Sequence, residues 1–139
     1  MASSSMGATA FQKGLGAIHS LSHPVNSLFN VHHGLSNGIF MPYVLTFNRP
    51  TIEKKIAKLS EYLDLKEASF NSFVDWVLEL REQIKIPHTI LESAKITDKD
   101  IVKMSPMALD DPCTPGNPKK PTLDNINEMY RYSIEGKLF

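Results

Sequence analysis

The sequence contains a single cysteine, Cys113, among 139 residues. A lone thiol cannot form an internal disulfide, which excludes a secreted disulfide scaffold and a cysteine-built zinc module. The chain also has no net charge, with 15 basic and 15 acidic residues, so it lacks the basic field that nucleic-acid and membrane-surface binding need. We therefore expect no nucleic-acid partner and a reducing, cytoplasmic setting.

Long apolar runs are absent as well. A bilayer span needs roughly 18 apolar residues, and His19, Ser20, Ser22 and His23 interrupt the most apolar stretch. The N-terminus has neither the basic and apolar regions of a signal peptide nor the Arg-rich pattern of a transit peptide. We expect no membrane association and no targeting peptide. With 42% hydrophobic residues, the chain is long enough for one domain with its own core.

Charge is nearly absent from the first third of the chain, where Lys13 is the sole charged side chain among residues 1–48. The same segment holds four of the five histidines: His19, His23, His32 and His33. These imidazoles need partners, because an unpaired buried polar group costs about 1–3 kcal/mol. Where this segment stays exposed, we expect it to favour self-association.

The hydrophobic periodicity predicts an all-α bundle of five to seven helices, formed by residues 1–139 as one domain. No alternating segment reaches strand length. A first helix is predicted from Ala2 to about Ser22, ended near His23 by Pro24. A second is predicted from about His33 into Val44, with its end marked by Asn48-Arg49-Pro50.

The later helices follow from caps and apolar spacing. Thr51 is expected to cap a helix that reaches Leu63, and a further helix is expected from Phe70 to Ile84, with Phe73 and Trp76 in the core. Thr97-Asp98-Lys99-Asp100 opens another, which Pro106 is expected to bend or divide. Residues 111–118 read as a loop, and Thr122 caps the last helix.

The histidines carry the clearest chemical signal. His19 and His23 are four residues apart, on one helix face, and His33 begins the next predicted helix. Two imidazoles from adjoining helices can meet at one metal ion. Alternatively, these histidines satisfy backbone carbonyls in a packed core. A zincin site is excluded because Ser20 stands where the general-base glutamate would be.

Three segments carry a recognisable pattern. They are Phe11 to Pro24, including Gly-Leu-Gly-Ala-Ile-His19-Ser-Leu-Ser-His23-Pro24; Asn30-Val-His-His33-Gly-Leu-Ser-Asn37 with Met41-Pro42; and Asp111-Pro-Cys-Thr-Pro-Gly-Asn-Pro118. Together these segments resemble the C-terminal helical domain of the iron-containing alcohol dehydrogenases. The resemblance covers nearly the whole chain.

The resemblance implies a function and residue roles. His19 and His33 would ligate a divalent metal, Fe²⁺ or alternatively Zn²⁺, and His23 would lie near the nicotinamide and the substrate oxygen to assist proton transfer. NAD or NADP would accept hydride from a small alcohol, or donate it to an aldehyde or ketone. His32 would lie behind the ligands or face solvent. No ligand role is implied for the loop at 116–118, and Cys113 reads as an unreactive thiol.

The sequence also departs from the family. The nucleotide-binding domain and the family's aspartate and histidine ligands would lie upstream, and no Asp or Glu precedes Glu53. Gly14 and Gly16 do not make a dinucleotide fingerprint, since no strand precedes them. We expect a chain that is inactive alone and that either pairs with the missing N-terminal half or forms a homo-oligomer. The alternative is a non-catalytic helical remnant or interaction module.

Overall fold

A computed structural model describes residues 1–138, apart from the side chain at position 3. It contains six α-helices and two short 3₁₀ turns, with no β-strand among the residues described. The helices are α1 (Ala2–Phe11), α2 (Ala17–Phe29), α3 (His33–Tyr62), α4 (Phe70–Gln83), α5 (Asp98–Leu109) and α6 (Leu123–Glu135). The 3₁₀ turns are Ile90–Glu92 and Thr114–Gly116. The predicted all-α fold is confirmed.

The core lies between α2, α3, α5 and α6. The ring of Phe40 on α3 meets that of Tyr130 on α6 edge to face, with centroids 5.7 Å apart. The Tyr130 hydroxyl donates a hydrogen bond of 2.8 Å to the Leu21 carbonyl on α2. Burying one large apolar side chain stabilises the fold by about 1.5–3 kcal/mol. This cluster therefore holds α2 against α3, and these two helices carry the clustered histidines.

Helix α4 lies along α3 and buries Phe70 and Phe73. Trp76 does not join them, because 36% of it is exposed. The prediction that Trp76 packs in the core is wrong. Val74 and Val77 complete the inward face of α4, so the indole contacts the Phe73 ring at 5.7 Å and stays at the surface.

The predicted single helix from Ala2 to about Ser22 is also wrong, because the chain leaves the helical path between α1 and α2. Gly14 adopts φ +91°, which glycine reaches without steric cost. The amide of Ala17, the first residue of α2, donates 3.1 Å to the side-chain oxygen of Asn117, 100 positions away. In a continuous helix the Ala17 amide would donate to a carbonyl of the preceding turn, and here the Asn117 side chain accepts from it instead.

Prolines were expected to end two helices, and both expectations are wrong. Helix α2 continues through Pro24 to Phe29, and α3 continues through Pro42 and Pro50 for 30 residues. A proline inside a helix costs about 3 kcal/mol. Pro24 and Pro42 are buried, and packing of their core neighbours offsets this loss, whereas Pro50 is exposed and lies outside the core. Thr51 is not a cap, since its hydroxyl donates to the Asn48 carbonyl within α3. No helix in residues 1–138 combines the length and apolarity needed to cross a membrane.

The remaining helix starts are confirmed. Helix α4 begins after Ser69, whose hydroxyl accepts from the Ser72 amide at 3.1 Å. Thr97 and Thr122 open α5 and α6 with capping boxes, in which side chain and backbone satisfy each other reciprocally. Pro106 does not divide α5, which runs unbroken to Leu109.

The loop at 111–118 is tied to the helices by buried amides. Asn117 and Asn48 of α3 exchange hydrogen bonds of 2.7 and 3.1 Å, and the same Asn117 oxygen accepts from Ala17. A Cβ at Gly116 would collide with the Leu15 carbonyl, so backbone packs on backbone there. The loop is thereby held against the start of α2.

We expect Asn117→Ala to lower the free energy of unfolding by about 2–4 kcal/mol, because the Ala17 amide and the Asn48 side chain lose buried partners. Asn71→Ala, at an exposed position in α4, is the matched control and should change stability by less than about 0.5 kcal/mol. Urea unfolding followed by circular dichroism measures both. Equal losses in the two variants would contradict the role given to the amide network.

Candidate metal and proton-transfer site

The structure brings the three imidazoles predicted from the sequence together. The ring centroids of His19 and His33 are 5.2 Å apart, those of His23 and His33 are 5.3 Å apart, and those of His19 and His23 are 6.1 Å apart. His19 and His23 lie one turn apart on α2, and His33 is the first residue of α3. Their roles as metal ligands and proton-transfer group stay predictions.

Asn26 forms the turn that places His33 opposite α2. Its side-chain nitrogen donates to the Val31 carbonyl at 3.0 Å and to the Ser36 hydroxyl at 2.8 Å. Asn30, which ends α2, adopts the left-handed conformation with φ 54°. The chain therefore reverses within three residues, and α3 starts beside α2.

The same asparagine fixes the tautomer of His33. The Asn26 side-chain oxygen lies 2.7 Å from His33 Nδ1. An amide oxygen only accepts, so Nδ1 carries the proton and donates it. Nε2 of the neutral ring then keeps its lone pair. A hydrogen bond of this kind behind the ring is how metal-ligating histidines are oriented in proteins.

The lone pairs of His33 and His19 face one point, which Asn37 occupies. The Asn37 side-chain nitrogen lies 3.0 Å from His33 Nε2 and 3.4 Å from His19 Nε2. The Asn37 oxygen is buried with no hydrogen-bond partner. Two imidazole nitrogens that accept from a single donor supply the ligand type that Fe²⁺ and Zn²⁺ take. Two nitrogens of this type fit such an ion, but they are fewer than the four donors that Zn²⁺ takes.

The pKa of His19 is lowered, first by burial and then by the neighbouring His33 and His23 rings, while Asp111 opposes the shift. Metal binding needs a neutral imidazole. The lowered pKa therefore keeps His19 in the form that a cation requires.

His23 has a different partner from the other two. Its Nδ1 lies 2.7 Å from Oδ2 of Asp111, in the loop that follows α5. Partial burial opposes ionisation of Asp111, but hydrogen bonds from His23 and from Cys113 outweigh it and hold the pKa of this carboxyl below its usual range. The ionised Asp111 accepts from His23 Nδ1–H, so Nε2 of the neutral ring is free to accept a proton.

The other histidines stand outside this group. His32 is exposed beside the site, and His88 Nε2 donates to the Gly136 carbonyl at 2.8 Å, at the end of α6. A cleft of about 820 Å³ lies along α4, where Arg81 and His88 line it, and none of the three clustered histidines borders it.

The sequence assigned no role to three residues of the site. Asn26 and Asn37 follow His23 and His33 by three and four positions, so helical spacing could have pointed to them. Asp111 lies 88 positions from His23, and local patterns carry no signal of that contact. The Thr114 hydroxyl bonds to the Ser20 hydroxyl and the Ala108 carbonyl, which anchors the loop near α2.

A model of the Fe-containing alcohol dehydrogenase family, C-terminal, matches residues 1–134. The chain belongs to the Fe-containing alcohol dehydrogenase family. Among its relatives, 4-hydroxybutyrate dehydrogenase of Cupriavidus necator is 34% identical and the match covers 96% of this chain. Lactaldehyde reductase of Escherichia coli (strain K12) is 32% identical over 123 residues, which cover 84% of this chain.

Solved structures in the Fe-containing alcohol dehydrogenase family share the fold. A 1,3-propanediol oxidoreductase superposes with a TM-score of 0.80 at 24% identity, covering 86% of this chain and 33% of that one. The iron-containing alcohol dehydrogenase of Thermococcus thioreducens gives a TM-score of 0.77 at 25% identity, covering 88% of this chain and 32% of that one. The chain spans 32% of the lactaldehyde reductase and 37% of the 4-hydroxybutyrate dehydrogenase.

The hydrogen bonds from His33 to Asn26 and from His23 to Asp111 predict the tautomers of these two rings. At a pH where the imidazoles are neutral, we expect His33 and His23 to carry their proton on Nδ1, because Asn26 and Asp111 accept it there. Nitrogen-15 NMR of the ring atoms distinguishes the tautomers. The exposed His32 is the internal control and should show the mixture of a free imidazole.

In Asn26→Ala, the Nδ1–H preference of His33 should disappear while that of His23 remains. An Nε2–H tautomer for His33 in the unmodified chain would contradict the orientation described above.

Proposed function

We propose that this chain is the metal- and substrate-facing part of a metal- and nicotinamide-dependent alcohol dehydrogenase, which interconverts alcohols and aldehydes or ketones by hydride transfer. The observation that carries the proposal is the convergence of His19 Nε2 and His33 Nε2 on Asn37, with Asn26 holding the His33 tautomer. Relatives named as a lactaldehyde reductase and an NADPH-dependent butanol dehydrogenase support the substrate class.

In this proposal His19 and His33 hold the ion, Fe²⁺ or alternatively Zn²⁺. When bound, such an ion supplies Lewis acidity that lowers the pKa of an alcohol or polarises a carbonyl group. Asn37 gives up its hydrogen bonds to the two Nε2 atoms, and its side chain turns to satisfy its unpartnered oxygen.

His23 is the proposed proton-transfer group, beside the nicotinamide of NAD or NADP. Its Nε2 accepts the proton that an alcohol loses, while Asp111 stabilises the resulting imidazolium at Nδ1 over 2.7 Å. A positioned acid or base of this kind accelerates a reaction by about 10²- to 10⁴-fold. The loop at 111–118 contributes by holding this carboxylate against the His23 ring.

We also propose that the chain is cytoplasmic and that it binds a protein partner. The partner is an N-terminal portion that binds the nucleotide, or a second copy of the chain. Met6 and Phe11 of α1 are 70% and 67% exposed, and exposed apolar side chains of this size favour association.

Metal titration tests the proposed ligands. We expect His19→Ala and His33→Ala each to weaken Fe²⁺ binding by at least about tenfold, since even residues behind metal ligands cost 10- to 100-fold when removed. His32→Ala is the matched control, because this exposed histidine directly precedes His33, and it should leave the affinity unchanged. Anaerobic calorimetry measures all three. Equal affinities across the three variants would reject the ligand assignment.

The incomplete donor set predicts that the isolated chain does not turn over. Two imidazoles bind a divalent ion more weakly than a full ligand set, so the chain with Fe²⁺, NAD(H) and a panel of primary alcohols should show no change in nicotinamide absorbance. Adding the N-terminal portion of a relative should restore hydride transfer, and His23→Ala should then reduce it. Turnover by the chain alone would contradict the prediction, and failure of complementation would favour the non-catalytic helical module.

A further inference from the structure

The loop after α5 places a second set of metal-ligating groups beside the first. One ligand atom each from His23, Asp111 and Cys113 can be chosen so that all three lie within 4.8 Å of one another. Imidazole nitrogen, carboxylate oxygen and thiolate sulfur are the three ligand types that zinc takes in proteins. In a tetrahedral zinc site such atoms are separated by roughly 3–4 Å, so the 2.7 Å between His23 Nδ1 and Asp111 Oδ2 widens when an ion binds between them.

From this cluster we propose that His23, Asp111 and Cys113 form a second cation site, with a preference for zinc-class ions over iron. It differs from the proposed His19 and His33 site in the atoms it uses. His19 and His33 present Nε2 toward Asn37, whereas His23 presents Nδ1 toward the loop. The proposal does not depend on the proposed function.

The loop arranges two of the three ligands before any ion arrives. Oδ1 of Asp111 accepts from the Cys113 amide at 2.8 Å, which leaves Oδ2 directed at His23. The Thr114 amide donates to the Asp111 carbonyl at 3.0 Å and closes the turn. Because the carboxylate is already positioned, less conformational freedom is lost when an ion binds.

Burial of the cluster suits a bound cation. The Asp111 side chain is 10% exposed, whereas that of His23 is 41% exposed, so one side opens to solvent. An ion can therefore enter past the imidazole and meet a carboxylate that is largely shielded from water. Three protein ligands leave the fourth position of a tetrahedral ion for water, as in open zinc sites.

Zinc binding changes the protonation of Cys113 and His23. The Cys113 thiol, whose pKa is raised by burial and by Asp111, loses its proton to solvent and coordinates as thiolate. The His23 proton leaves Nδ1, and the neutral ring takes one up at Nε2. When the His23 ring is neutral and Asp111 is ionised, each ion thus releases one proton, that of the Cys113 thiol. It also removes the lone pair at His23 Nε2, so zinc here would block proton transfer by His23.

Cobalt(II) tests the proposal, because a thiolate ligand gives it a charge-transfer absorption in the near ultraviolet. Cys113 is the sole cysteine of the sequence, so that absorption has one assignment. We expect the absorption in the unmodified chain, its displacement by Zn²⁺, its absence in Cys113→Ser, and at least tenfold weaker binding in Asp111→Asn. The His19→Ala/His33→Ala double variant should retain it, with far-ultraviolet circular dichroism as the folding check.

Each other outcome overturns the proposal. No thiolate absorption at saturating cobalt means that Cys113 is not a ligand, and loss of the absorption in the double variant means that Cys113 serves the His19 and His33 ion instead. A measurement on the unmodified chain covers variants that fail to fold: Zn²⁺ should slow alkylation of Cys113 by iodoacetamide at least tenfold. An unchanged alkylation rate would refute the site.

Discussion

The buried amide pair of Asn48 and Asn117 is the constraint on which the rest of the arrangement depends. It joins the middle of α3 to the loop at 111–118, and through the Ala17 amide it also sets where α2 begins. Buried hydrogen bonds of this kind have strict geometry, and each unmade one is costly. The three segments that meet at Asn117 are the same three that supply the histidines, Asn37 and the carboxylate.

The site is therefore a product of tertiary structure more than of one motif. The rings come from one helix pair, but the tautomers of two of them are decided by neighbours: Asn26 for His33 and Asp111 for His23. These partners leave Nε2 unprotonated on both rings, and on His33 this nitrogen accepts from Asn37. Metal-ligand chemistry and proton transfer need that same nitrogen, on different histidines.

Local signals in the sequence were sufficient wherever a helix begins with its own cap. Ser69 and Thr122 each accept from a nearby backbone amide, Thr97 opens α5 with a capping box, and all three helix starts agree with the predictions. Proline and glycine were misjudged because their effects depend on distant contacts. Pro24 is tolerated inside α2 because the helix around it is buried, and the break near Gly14 needs a residue 100 positions away.

The residues of the site also divide into those that local spacing reveals and one that depends on a distant contact. Helical spacing and the family resemblance placed His19, His23 and His33 together, and Asn26 and Asn37 could have been found by the same spacing. Asp111 could not, because its distance from His23 is set by how the loop folds back on α2. Cys113 was predicted to be an unreactive thiol, and burial together with Asp111 raises its pKa, which disfavours the reactive thiolate.

The backbone contact between Gly116 and Leu15 gives the loop little tolerance for change. No side chain fits between these two backbone segments. The distance between the Asp111 carboxylate and the His23 imidazole therefore depends on the lack of a side chain at Gly116, several residues downstream of Asp111. The geometry of the site thus depends partly on Gly116, a residue that has no functional group and neither binds nor reacts.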